Sequence, residues 1–109
     1  MFRHVAMFRW KDGVTPEQIA AVGEGLFALP AVIPEIRTFR YGPDAGLAEH
    51  NFDYAVTADF DDVDGFRAYR DHPDHRAVAR ELIGPILADR AAVQFDAGTW
   101  PGELGASED

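Results

Sequence analysis

Three of the four histidines and one tyrosine are the residues of this chain best suited to acid–base chemistry. His72 and His75 flank Pro73, Tyr69 lies just before them, and His4 lies near the N-terminus. A neutral imidazole can take a proton from a carbon next to a carbonyl group near pH 7. A tyrosine hydroxyl can donate a hydrogen bond to the oxygen that becomes negative in that step. A fold that gathers these side chains would form an acid–base site that needs no cofactor.

Pro73 divides the two neighbouring histidines between different roles. Proline is favoured in the first turn of a helix, so we expect a helix to begin there, with His72 as its N-cap. His75 then occupies the third position, where free backbone N–H groups and the helix dipole disfavour an extra proton. We therefore predict that His72 is a structural cap, and that His75 is the general base.

A metal site in the same segment is the competing interpretation. Asp71 and Asp74 lie beside the two histidines, but Pro73 breaks the helical register and both carboxylates suit the start of a helix. The acidic stretch 59–64 is explained in the same way, by a strand end followed by a helix cap. The chain contains no cysteine, which excludes disulfides and cysteine ligands. We expect neither a metal nor any other cofactor.

Composition limits the partners that this chain can have. Ten basic residues against nineteen acidic ones give 109 residues a formal net charge of −9, and Lys11 is the only lysine. Nucleic acids and anionic membranes are therefore not expected as partners. No apolar run approaches the roughly 20 residues that cross a bilayer. The first ten residues do not form a signal peptide either, so we expect a cytoplasmic protein.

Hydrophobic periodicity predicts six main elements in the order strand, helix, strand, strand, helical region, strand. Thr15, Pro16 and Gln18 predict a capped helix start, and Pro30 is expected to end that helix. Asp61 or Asp62 is expected to cap the next helix. The predicted strands are 4–10, 36–42, 53–60 and 91–95. Residues 1–96 are expected to form one domain, and 97–109 a flexible acidic tail.

This order is that of an α+β, ferredoxin-like split βαβ fold, with a four-stranded antiparallel sheet and helices on one face. Strand alternation places His4 with Ala6 and Phe8 on the face towards the helices. Val5 and Met7 then lie on the other, bare face, which needs cover. We therefore predict a homodimer in which the two sheets face each other.

At this point the sequence resembles the Dabb family, the stress-responsive dimeric A/B barrel proteins, over residues 1–96. The similar features are His4 in the first strand, residues 8–15 after it, Tyr41-Gly42, the Phe60 strand end, and Tyr69-x-x-His72-Pro73-x-His75. The resemblance implies a ferredoxin-like subunit and a homodimer whose two sheets form a barrel. It does not imply one function, because many members are stress-induced or uncharacterised proteins.

One plant member of that family is a polyketide cyclase that closes an aromatic ring by intramolecular aldol condensation. Position by position, its two histidines and its pocket tyrosine resemble His4, His75 and Tyr69. The resemblance therefore implies His75 as the base, assisted by the other two residues. The cyclase carries a further tyrosine on its first helix, where this chain has Leu26, so its substrate preference is not carried over.

Three functions are compatible with these observations. The first is a cofactor-free cyclase or aldol-type enzyme acting on a small apolar keto or polyketide-like compound. The second is a non-catalytic dimeric stress protein that binds a small hydrophobic ligand, and the third is a monooxygenase of the antibiotic-biosynthesis type. Apolar residues on the core faces are expected to line the cavity for substrate; they are Phe8, Leu26, Val56 and Phe66. His50, in a polar loop, is expected to be a surface residue.

Overall fold

The computed structural model describes residues 1–98 and confirms the predicted order of elements. The strands are β1 (Phe2–Trp10), β2 (Thr38–Pro43), β3 (Tyr54–Phe60) and β4 (Leu87–Asp96). The helices are α1 (Pro16–Phe27), α2 (Leu29–Val32), α3 (Val63–Asp71) and α4 (Pro73–Ala77). A π-helical segment (Val78–Ile83) and a 3₁₀ turn (Gly84–Ile86) lead from α4 into β4. Most of the predicted acidic tail, residues 99–109, lies outside the described residues.

The four strands form one antiparallel sheet in the order β2-β3-β1-β4. This is the predicted α+β ferredoxin-like fold, with β1 and β3 in the centre. The fourth strand is longer than predicted and begins at Leu87. The prediction missed 87–90 because this stretch, Leu-Ala-Asp-Arg, lacks the expected alternation. It pairs nevertheless with the end of β1, with Phe8 opposite Arg90 and Trp10 opposite Leu87. Backbone pairing with β1 therefore extends β4 through residues whose own strand preference is weak.

The first helix begins as the sequence predicts and ends slightly earlier. The Thr15 side chain accepts a hydrogen bond from the Gln18 backbone N–H, and the Gln18 side chain accepts one from the Thr15 N–H. Pro30 does not end α1 directly. It lies in the first turn of the short helix α2, where its missing N–H costs nothing.

The two faces of the sheet differ as predicted. His4, Ala6 and Phe8 on β1 are buried towards the helices. The same buried face continues on the neighbouring strands and helices, through Phe39, Tyr54, Val56, Ala58, Phe60, Val22, Leu26, Leu29, Ile33 and Tyr69. On the opposite, bare face Met7, Val93 and Phe95 are 37%, 54% and 44% exposed. This face therefore has an apolar strip formed by Val5 and Met7 on β1 and by Val93 and Phe95 on β4.

The bare face is also more polar than the alternation of Val5 and Met7 predicts. Arg3 and Asp59, which are opposite each other on β1 and β3, form a two-pronged ion pair with Nε–Oδ1 and Nη2–Oδ2 distances of 2.7 and 3.0 Å. Thr38 on β2 donates a third hydrogen bond to Asp59 at 2.6 Å. Asp59 is only 6% exposed, because these partners surround its carboxylate. The apolar strip along β4 thus lies beside a hydrogen-bonded polar cluster.

The π-helical segment packs closely against α1 at Gly25. A Cβ atom at Gly25 would lie 2.6 Å from Leu82 Cδ1 and 3.2 Å from Val78 Cγ2. Glycine therefore lets α1 approach this segment more closely than any other residue would allow. The close approach holds the π-helical segment over the helix-covered face of the sheet.

Candidate functional site

A cavity of about 140 Å³ lies between the π-helical segment (Val78–Ile83) and the sheet. Its walls are largely apolar, and its lining contains four residues with functional polar groups, His4, Tyr69, His75 and Arg90. The apolar lining residues are Ala6, Phe8, Leu26, Val56, Val78, Ala79, Ile83 and Leu87. An apolar cavity with a few converging polar groups is the usual form of a small-molecule site.

His4 enters the cavity from the centre of the sheet and is held by the neighbouring edge strand. It is 5% exposed and lies opposite Gln94, whose amide nitrogen is 2.8 Å from His4 Nδ1. Since an amide nitrogen only donates, His4 Nδ1 accepts and the ring proton is on Nε2. Burial first, and then the charges of Arg90 and His75, lower the pKa of His4 from 6.5 to about 4. At neutral pH His4 is therefore an uncharged donor through Nε2.

His75 has the opposite tautomer. Its Nδ1 lies 3.1 Å from the Arg70 backbone carbonyl oxygen. A carbonyl only accepts, so the Nδ1 atom carries the proton and Nε2 keeps its lone pair. Burial lowers the pKa of His75, and the nearby positive charge of Arg90 adds to this, although the bond to Arg70 opposes it. Burial is thus the main cause of the lowered pKa, and the direction agrees with the neutral imidazole that the sequence predicts for His75.

Tyr69 links the two imidazoles. Its ring centroid is 4.2 Å from that of His75 and 5.9 Å from that of His4. The side chain is 2% exposed, and within residues 1–98 nothing forms a hydrogen bond with its hydroxyl. Burial raises the pKa of Tyr69, which keeps the hydroxyl protonated as a donor. A buried hydroxyl without a protein partner is suited to a ligand oxygen.

The four residues expected to line the cavity divide into two groups. Phe8, Leu26 and Val56 are part of its wall. The structure places Phe66 elsewhere, since its ring packs against His4 at 5.1 Å and against Phe60 at 5.9 Å. Phe66 is one turn before Tyr69 on α3 and is in ring contact with His4, but it is not part of the cavity lining. It supports the site without forming its surface.

Arg90 and Gln94 are the site residues that sequence reasoning missed. Both lie on β4, opposite Phe8 and His4 respectively, and directly opposed residues of antiparallel strands share a face. The predicted strand 91–95 excluded Arg90 and rested on the alternation of Ala91, Val93 and Phe95. The missing signal is the pairing of β4 with β1, which a single sequence does not display.

His72 and His50 take the roles expected of them. His72 Nδ1 accepts a hydrogen bond of 3.0 Å from the Asp74 N–H, so it caps α4. His50 is exposed in the loop after β2, with a positive φ of 68°. It borders a larger open groove of about 590 Å³, whose lining includes none of the residues of the His4–His75 cavity.

The described residues offer neither a cluster of metal ligands nor a membrane-spanning helix. Within residues 1–98, no three histidine, aspartate or glutamate side chains are grouped so that they could hold a metal ion. Over the same range, no helix is long and apolar enough to cross a membrane. The cytoplasmic location stays a prediction.

The fold and the cavity together place the chain among the small α+β proteins with a ferredoxin-like sheet. In this chain a cavity lined by histidine and tyrosine lies under the helices. Residues 2–97 match the family described as the Stress responsive A/B Barrel Domain, Dabb. The chain belongs to this family, as the resemblance of the strand histidine and the His-Pro-x-His element predicted. The match covers nearly all the residues that were expected to form the domain.

Two similar proteins have no known function. A dimeric ferredoxin-like protein from Thermobifida fusca is 57% identical, with a TM-score of 0.80 over 86% of this chain and 88% of its own. The uncharacterized protein SCO4036 from Streptomyces coelicolor is 30% identical over 95 residues, which cover 82% of this chain and 97% of that protein. The solved structure shows that a protein similar to this one is a dimer.

Two enzymes share the fold at lower identity. A hydroxynitrile lyase from Passiflora edulis is 22% identical, with a TM-score of 0.77 over 92% of this chain and 96% of its own. SnoaB, a cofactor-independent oxygenase from Streptomyces nogalater, is 18% identical, with a TM-score of 0.70 over 91% of this chain and 94% of its own. At these identities the likeness concerns the fold alone.

Proposed function

We propose that this protein is a cofactor-free acid–base enzyme of the aldol or cyclase type, acting on a small apolar keto compound. One observation carries the proposal: two neutral histidines in opposite tautomers line the same cavity. His75 has a free lone pair on Nε2, whereas His4 carries its proton on Nε2. One imidazole is thus a base and the other a hydrogen-bond donor, which is the pair that enolate formation needs.

In the first step, His75 Nε2 removes a proton from the carbon next to the substrate carbonyl group. The C–H electron pair moves into the new C=C bond, and the carbonyl electrons move onto oxygen to give an enolate. His4 Nε2–H and the Tyr69 hydroxyl donate hydrogen bonds to that oxygen. The depressed pKa of His75 keeps the base free of a proton near pH 7.

In the second step, the enolate carbon attacks another carbonyl carbon of the same molecule. A C–C bond forms, and the second carbonyl oxygen becomes an alkoxide that takes the proton back from His75 Nε2. Loss of water from this aldol product, followed by enolisation of the two remaining keto groups, would complete an aromatic ring. No external electron acceptor is needed, because the formal oxidation of the attacking carbon is balanced by reduction of the carbonyl carbon within the same molecule.

The size and walls of the cavity limit the substrate. A volume of about 140 Å³ is close to that of a cavity that holds one benzene ring. Phe8, Leu26 and Val56 offer apolar surface for the body of such a molecule. The preferred compound is therefore small and largely apolar, with its keto groups towards the histidines.

The proposed working form is a homodimer, joined through the bare faces of the two sheets. Met7, Val93 and Phe95 expose apolar surface there, and association would bury it. The similar Thermobifida fusca protein is dimeric. A chain of this length also has a small core, so the interface would add to its stability.

Turnover of heptane-2,4,6-trione tests the enzyme proposal. Its intramolecular aldol condensation gives 5-methylresorcinol and water, which liquid chromatography can follow without any added cofactor. We expect the protein to accelerate this reaction, and His75→Ala to lower the rate by about 100-fold or more. His72→Ala is the matched control, since it removes a histidine that only caps α4. Equal rates with both variants, or no acceleration by the wild-type protein, would exclude His75 as the base.

A non-catalytic ligand-binding protein is the second candidate, favoured by the small size of the cavity. Binding of apolar ketones, detected as a rise in melting temperature without any turnover, would support it. The monooxygenase alternative stays a prediction. It differs from the other two candidates because it would require dioxygen as a co-substrate. Consumption of dioxygen during turnover would point to that chemistry.

A further inference from the structure

Arg90 provides a positive charge at the edge of the cavity that no part of the proposed mechanism uses. Arg90 lies on the edge strand β4, where it is exposed to solvent and also lines the cavity. Within residues 1–98, its guanidinium group forms no ion pair and no hydrogen bond. By contrast, the arginines on α3 and α4, which are Arg67, Arg70 and Arg76, each lie within 4.0 Å of a carboxylate.

The cavity also has no negative charge that could balance Arg90. Its lining contains no aspartate and no glutamate, and its other polar groups are two imidazoles and a phenol. The nearest carboxylate along the chain belongs to Asp89, which accepts a hydrogen bond from the Arg90 backbone N–H. Asp89 directly precedes Arg90 on β4 and lies opposite Arg9 on β1. Because successive side chains of a strand point to opposite faces, the Asp89 side chain lies on the bare face and not on the cavity side.

We propose that Arg90 binds a carboxylate group of the ligand, so that the natural ligand is a small apolar keto acid. The inference rests on the proposed function, because it uses the same cavity. Arginine presents N–H donors in a planar fork that matches the two oxygens of a carboxylate. The apolar body then contacts Phe8 and Leu26, and the keto group points to His75.

The position of Arg90 gives it a second effect on the site. Its charge contributes to the lowered pKa values of both His4 and His75. A bound carboxylate would offset that charge, so the pKa of His75 would rise and the imidazole would become a stronger base. A ligand with a carboxylate would therefore be better activated than its neutral analogue.

Binding of benzoate and benzamide tests this inference, because the two probes share a shape and differ in charge. We expect isothermal titration at pH 7 to show that benzoate binds about tenfold more tightly than benzamide. Arg90→Gln should remove this preference, whereas Arg90→Lys should keep part of it. Arg67→Gln, which removes an exposed arginine on α3 outside the cavity, is the matched control and should leave it unchanged.

Equal affinities of the wild-type protein for the two probes, or no binding of either, would overturn the assignment. A benzoate preference that persists in Arg90→Gln would also overturn it, because the probe would then bind elsewhere. Amide shifts of Phe8 and Leu26 on benzoate addition identify the cavity as the binding place. This outcome is distinct from failure of the proposed function, which would appear as heptane-2,4,6-trione turnover that the wild-type protein does not accelerate or that does not depend on His75.

Discussion

Two hydrogen bonds outside the cavity set the chemistry of the two histidines inside it. Gln94 donates to His4 Nδ1, while His75 Nδ1 donates to the Arg70 carbonyl. Each bond fixes one ring nitrogen, and the other nitrogen is left to act on a ligand. The opposite tautomers therefore come from the neighbours of the histidines and not from the histidines themselves.

Gln94→Glu is expected to raise the pKa of His4 by about 1–3 units, because a carboxylate next to Nδ1 stabilises the charged imidazolium. The titration of the His4 ring C–H signals in proton NMR measures this change. Gln94→Met, which has a similar size and no charge, is the control and should not give a rise of that size. A His4 pKa that is the same in both variants would contradict the assigned contact.

Acidification is expected to destabilise the fold through His4. In the unfolded chain His4 has its ordinary pKa of 6.5, whereas in the folded protein the pKa is about 4. As the pH falls, the unfolded state binds this proton first, so stability is lost between pH 6.5 and pH 4, by on the order of 3 kcal/mol.

Urea unfolding at fixed protein concentration and a series of pH values measures this loss. His4→Asn removes the titrating group, so the variant should lose less stability than the wild-type protein over the same pH range. Parallel losses in the two proteins would assign the acid sensitivity to other groups.

At the scale of elements, α3 carries Tyr69 into the cavity, and its first turn is fixed by Asp62. The Asp62 side chain accepts a hydrogen bond of 2.9 Å from the Gly65 N–H. The sequence left Asp61 and Asp62 as alternative caps. Asp61 instead forms an exposed ion pair with Arg37.

Asp62→Ala is therefore expected to destabilise the protein by about 1 kcal/mol, because it leaves a backbone N–H of the first turn without its partner. Denaturant unfolding checks this value. Asp61→Ala is the matched control and should have a smaller effect, since an exposed ion pair contributes little. A larger loss in Asp61→Ala than in Asp62→Ala would show that the cap is misassigned.

The predicted and unpredicted elements differ in the range of the interactions that form them. Thr15, Gln18 and Pro73 act on residues within one helical turn, so their caps could be predicted from the sequence. The extension of β4 to Leu87 depends on pairing with β1, more than seventy residues away along the chain. The π-helical segment (Val78–Ile83) packs against α1 at Gly25, more than fifty residues away along the chain.

The same distinction explains how much of the site could be predicted. His4, Tyr69 and His75 each lie in an element with a strong local pattern, and the fold order brought them together. Gln94 and Arg90 reach the site through strand register alone. Phe66 was expected in the cavity wall. Helical spacing predicts that its ring is on the buried side of α3, but not whether the ring lines the cavity or packs against His4 and Phe60, as it does.

At the scale of the whole molecule, the bare face of the sheet is the proposed dimer interface. Its apolar strip along β4 includes Val93 and Phe95, beside the hydrogen-bonded cluster around Asp59. Such a mixture suits a specific interface, since apolar contact supplies affinity and the polar cluster restricts the relative position of the sheets.

Val93→Asp is expected to convert the dimer into a monomer, because it would bury a charge in the apolar strip. Sedimentation velocity at micromolar concentration measures the change. Leu47→Asp is the matched control, since Leu47 is an apolar residue that is 90% exposed in the loop after β2 and outside the sheet. A wild-type protein that sediments as a monomer would contradict the proposed interface.

In the proposed mechanism His75 removes a proton from a carbon next to a carbonyl group, and every later step depends on this one. Proton NMR of phenylacetone in deuterium oxide tests it most directly, because exchange of the protons next to the carbonyl group reports this step without the need for a complete reaction. We expect the wild-type protein and His72→Ala to accelerate the exchange, and His75→Ala to return it to the rate of buffer alone. Exchange that is equally fast with His75→Ala, or no acceleration by the wild-type protein, would contradict the claim.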